Sequence, residues 1–178
     1  FNPLQSFGDI SYKAKQMRSA CSKVWQINMN SSPRMARWLY NCFYVLLEQK
    51  LSFVDALSLV SIRHNDRRIF ITKNIKNPEI RAEFESLALM KPRELLEQLE
   101  SSYNRVFEFL NNPNVRKLFI QESYLNIKEI MDKGYILLCN LSTRGEKLSE
   151  DDRNLLGTLL INEFYTTAKV FARKSKVD

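Results

Sequence analysis

Apolar positions recur every three or four residues along most of this 178-residue chain. That is the period of α-helices packed on one face. The clearest stripe is Met35, Trp38, Leu39, Cys42, Phe43, Leu46 and Leu47. Ser31 or Ser32 stands before it as a cap, with Pro33 in the first turn. The same period predicts helices over 9–26, 63–74, 92–110, 113–119 and 126–132, and a short one from Ser52 through Leu59. Asn77-Pro78 starts a further helix that buries Ile80, Phe84, Leu87 and Ala88. Residues 1–8 read as an extended lead-in with a turn at Gly8.

The texture changes at Gly134. Tyr135 to Leu141 is a compact apolar run between that glycine and a polar loop, and it predicts a buried β-strand. Ser149 then caps a long last helix over 149–173, with Glu150, Asp151 and Asp152 placed to favour its positive end. No other segment reads as a strand, so the partner strands are expected outside this sequence. The expected fold is therefore mainly α: a multi-helix bundle (1–133), followed by one buried strand and a long helix (134–178).

Composition narrows the class. Only 4 Gly and 5 Pro argue against an all-β chain, and 44% hydrophobic with 26% charged residues argues against disorder. No apolar run approaches the ~18 residues that a membrane span needs. Three widely spaced cysteines, Cys21, Cys42 and Cys139, read as reduced thiols of a cytoplasmic protein, with Cys42 and Cys139 buried in apolar runs. The chain opens Phe1-Asn2-Pro3-Leu4 without a Met, which suggests a piece of something longer.

Charge adds a candidate surface. The net charge of +7 is clustered: Lys13, Lys15, Arg18, Lys23, Arg34 and Arg37 lie early against Asp9 alone. Arg63, Arg67, Arg68, Lys73 and Lys76 form a second cluster against Asp66. Such clusters suit an acidic partner, nucleic acid included, and equally suit a solvated face. The residues most suited to phosphate contact are Lys13, Lys15, Arg18, Arg67 and Arg68.

Catalytic motifs are missing. No glycine leads into a Gly-Lys-Ser/Thr phosphate loop, and the run at 135–141 ends in Asn140-Leu141-Ser142 rather than in a metal-holding acidic pair. The lone histidine, His64, sits in a polar, basic stretch that reads as surface. The sequence therefore predicts no catalytic, cofactor-binding or metal-binding residue.

The order Asn112-Pro113-Asn114-Val115-Arg116, the run Tyr135 to Leu141 with Ser142, and Leu148-Ser149-Glu150-Asp151-Asp152 with Leu155-Leu156-Gly157 resembles a known family. It is similar to the conjugative-coupling (type IV secretion) and HerA-type branch of the FtsK-like DNA-pumping ATPases. There an "N-P-x-x-R" segment precedes an apolar strand and an "L-x-E-D-x-x-x-L-L-G" helix. Phe1-Asn2-Pro3-Leu4 also looks like the Asn-Pro-Leu of those motors. The resemblance is specific over about 112–160. It implies an internal region, a helical insertion plus one β-α element of a RecA-like core. ATP and Mg are then expected only for the parent protein, which would be a homo-oligomer. The expected role is binding of DNA, a DNA-bound protein substrate or the rest of the motor core. The alternative is a non-enzymatic helical interaction scaffold with no nucleic-acid role, in which the apolar run and Trp25 or Trp38 meet the partner.

Overall fold

The computed structural model describes residues 4, 8–28, 30–120, 125–142 and 148–174, and among these the chain is mainly helical. The extended lead-in expected over 1–8 lies outside the described residues except at Leu4 and Gly8.

Local chemistry sets the helix starts. Asp9 accepts the Tyr12 N–H through its side chain and opens α1 (Ile10–Val24). Pro33 occupies the first turn of α2 (Pro33–Glu48), where its missing N–H costs nothing. The Asp55 carboxylate accepts both the N–H and the hydroxyl of Ser52 and so caps a 3-10 turn (Phe53–Asp55), which runs into α3 (Ala56–Val60). Next come α4 (Asn65–Thr72) and α5 (Pro78–Ala88). The Asn77 side chain caps α5 by accepting the Glu79 and Ile80 N–H groups. The series continues with α6 (Pro92–Leu110), α7 (Pro113–Ile120), α8 (Ile127–Asp132) and α9 (Glu150–Lys174).

Helix ends are less legible in the sequence. After α1 the Ile27 N–H donates back to the Ser22 carbonyl at 2.9 Å, with Gln26 at φ 51°. After α2 the Leu51 N–H donates to the Leu46 carbonyl at 2.9 Å, with Lys50 at φ 53°. Both are left-handed closures made without glycine, at a cost of roughly 1 kcal/mol each.

The core is centred on α2. Residues 41–47 are all buried, because α1 covers one side of the helix while α3 and α6 cover others. Phe53 lies at the meeting point: its ring is 5.7 Å from Phe43, 5.5 Å from Phe109 and 5.1 Å from Phe119, centroid to centroid. Phe109 and Phe119 are 5.6 Å apart, edge to face. Such ring pairs add about 0.5–1.5 kcal/mol each beyond the area they bury. Leu155, Leu156 and Leu159 join this core from α9, which packs along α1 and touches α8.

The buried strand expected at 135–141 is not present. No strand occurs among the described residues, and this segment has no regular structure. A strand exists through its hydrogen-bonded neighbour, and the surrounding helices offer no edge to pair with.

Candidate interaction surfaces

The apolar run begins at a complete helix-closing motif. The Tyr135 N–H donates to the Ile130 carbonyl at 2.9 Å and the Gly134 N–H to the Met131 carbonyl at 3.3 Å, with Gly134 at φ 64°. That pair of bonds requires the left-handed residue that glycine supplies without strain. Beyond it Ile136 and Leu138 are each 89% exposed, and Tyr135 and Cys139 are exposed as well. Among the described residues the backbone of 136–141 makes no hydrogen bond. Cys139 was expected inside; it lies outside because its run has no sheet over it.

The run is nevertheless fixed at both ends. Leu141 is half-buried against the core and passes over Gly157 so closely that a Cβ there would stand 3.3 Å from its Cδ1. Gly157 is therefore the point at which the run crosses α9. The start of α9 is pinned too. The Ser149 N–H donates to Asp152 Oδ2 at 3.1 Å, the Asp152 N–H donates to Ser149 Oγ at 3.0 Å, and Asn112 Nδ2 donates to the same Oδ2 at 2.7 Å.

The basic candidates part company. Lys15 is exposed, and Arg18 is half-buried with its guanidinium 5.9 Å from the Tyr40 ring centre. Arg67 is exposed but lies 2.7 Å from Asp55. Lys13 and Arg68 are buried, which takes them out of the surface predicted for phosphate contact. Lys13 lies 3.6 Å from the buried Glu163 of α9, beside a small cavity of about 20 Å³ lined also by Gln16, Met17, Leu159 and Asn162. Burial lowers the Lys13 pKa, and Glu163 opposes that shift.

Arg68 is fully enclosed. Its Nη1 donates to the Ser61 carbonyl at 2.7 Å and its Nη2 to Asn65 Oδ1 at 2.6 Å, while its Nε has no partner. Desolvation lowers its pKa. The helical phase explains the burial: residues 68, 71, 72 and 75 fall at three- and four-residue intervals and all point inward. Of the two tryptophans weighed as partner surface, Trp38 is buried edge to face with Phe84, and Trp25 is half-buried against Phe109. His64 is exposed at the start of α4, as expected.

No described helix is long and apolar enough to cross a membrane. No family model, curated protein or solved structure matches this chain.

Proposed function

We propose that this chain is a partner-binding helical region of a DNA-translocating ATPase of the conjugation (type IV secretion) kind, and that 135–141 pairs there with a sheet supplied by the rest of the motor core. The observation that carries this reading is the run itself. Ile136 and Leu138 stand in solvent beside unpaired backbone, while Gly134, Gly157 and the Ser149–Asp152 cap hold the flanks in place. Exposed aliphatic side chains on an unpaired backbone favour strand addition, since pairing satisfies the amides and covers the side chains together. The order of strand, loop and helix is that of half a β-α-β unit.

On this reading nucleotide and Mg belong to the parent protein, and the chain alone neither binds nor hydrolyses ATP. DNA meets it through phosphates, with Lys15 and Arg18 as the contacts. Removing each is expected to lower the salt slope of binding by about one unit.

A second reading is favoured by the loss of Lys13 and Arg68 from the basic surface: a helical scaffold that binds protein alone. Two measurements separate the cases. Amide exchange at 136–141 should be fast in the chain alone and protected when it is joined to a motor core encoded in the same reading frame. Unchanged fast exchange there, or a reading frame without a phosphate loop, would sink the first reading. Binding to a DNA duplex that is absent at low salt would leave the scaffold.

A further inference from the structure

Helix α4 carries apolar side chains on both of its faces. Arg68 lies inside, while two residues later Phe70 is 68% exposed and its neighbour Ile69 is 43% exposed. Rotating the helix by about half a turn would bury the ring and hydrate the guanidinium, but it would also bury Asp66 and Lys73 and expose Ile71, so the ring stays outside. The bond from Arg68 to the Ser61 carbonyl, which lies outside the helix, holds the observed phase, while the bond to Asn65 Oδ1 is internal to α4. The Ser61 bond also holds the turn that carries Ile62, itself 40% exposed, against the start of the helix.

Cations flank this apolar face. Arg63 is exposed beside Ile62, and Lys73 sets its ammonium 4.9 Å from the centre of the Phe70 ring. Arg67 also borders it, its charge already met by Asp55. An acidic occupant with apolar residues fits such a face. Exposed Asp66 lies on the same side of α4 as Ile69, Phe70 and Lys73, three and four residues before the first two and seven before the last. A carboxylate there opposes both a phosphate backbone and an anionic bilayer, whereas a protein partner can meet it with one donor. Phe70 is the single ring among the three apolar side chains of this face, so successive bases would find no second ring on which to stack.

We propose that the outward face of α4 docks an acidic amphipathic segment of a protein partner, whose apolar side chains cover Phe70, Ile69 and Ile62 and whose carboxylates meet Arg63 and Lys73. This site is separate from 135–141 and stands or falls independently of the pairing proposed there.

The test uses the whole chain with isotope-labelled Ile methyl groups and Phe rings. Three probes are titrated in: a synthetic helical peptide with Leu at positions i, i+3, i+4 and i+7 and Glu on its flanks, phosphatidylglycerol vesicles, and oligothymidylate. The expected result is that the peptide alone shifts the Ile62, Ile69 and Phe70 signals. Phe70→Ser should weaken this binding about tenfold, as truncating a central aromatic anchor does. The double charge reversal Arg63→Glu with Lys73→Glu should abolish it, and both variants alter exposed positions on which the fold does not depend. The proposal is overturned if a Lys-flanked version of the peptide binds equally well. It is also overturned if the vesicles or the oligonucleotide shift these signals and the peptide does not, or if no probe shifts them.

Discussion

Asn112 Nδ2 donates to Asp152 Oδ2 at 2.7 Å across a sequence separation of 40 residues. The same asparagine accepts the Asn114 N–H through Oδ1 at 3.0 Å. It therefore serves the start of α7 with one side-chain atom and the buried cap of α9 with the other. Asn112→Ala should lose both, costing about 2–3 kcal/mol in denaturant unfolding. Asn112→Asp keeps the acceptor for Asn114 but sets a second carboxylate against Asp152. At pH 7 it should be at least as damaging. Two adjacent carboxylates raise one pKa, so the folded variant binds a proton more tightly than the unfolded one. Its deficit should therefore shrink below about pH 5. A deficit that does not change with pH would show that the contact contributes little.

Lys13 and Glu163 join α1 to α9 as a buried pair. Removing one partner strands the other charge, so Lys13→Met or Glu163→Leu alone should cost about 3 kcal/mol or more. The double variant should recover most of that. The Lys13 pKa is lowered from the usual 10.5, so the unfolded chain holds this proton more tightly than the folded one. Unfolding then takes up a proton in the window just below 10.5, and the parent gains stability relative to the double variant as pH rises through it. Chemical denaturation of both proteins between pH 7 and 10 checks the sign.

The thiols should react unequally. Burial pushes the pKa values of Cys21 and Cys42 well up, while Cys139 is exposed. Under native conditions one equivalent of a thiol reagent should be consumed quickly, at Cys139. The other two should react at the rate of unfolding. Rapid modification of Cys42 would contradict the packing described for α2.

Arg68 reports on how α4 is held. Arg68→Ala removes the bonds to the Ser61 carbonyl and Asn65 and leaves a cavity, which should cost about 2–4 kcal/mol. Arg68→Met should cost less, because it refills the volume and buries no charge. If the two variants unfold at the same denaturant concentration, packing around this side chain is not what fixes the helix.

Lys50 holds a left-handed conformation at the end of α2, so Lys50→Gly should stabilise the chain by about 0.5–1 kcal/mol. A lower melting temperature in calorimetry would mean that its side chain contributes more than its backbone strain costs.

The sequence by itself determined the helices and their inward stripes. Met35, Trp38, Leu39, Cys42, Phe43, Leu46 and Leu47 are all buried as their spacing predicts, and Asn77-Pro78 and Pro92 mark the starts of α5 and α6. These features depend on neighbours three or four residues away, which the sequence lists directly. It did not reveal the ends at Gln26 and Lys50, where left-handed closure was made without glycine. Nor did it separate the cations. Lys13 and Arg68 look like Lys15 and Arg67 in composition, and only the packing of α9 on α1 and the rotation of α4 put the first two inside. The same limit applies at 135–141. An apolar run records that something should cover it, but burial and strand pairing are relations to another segment, and among the described residues no segment supplies them.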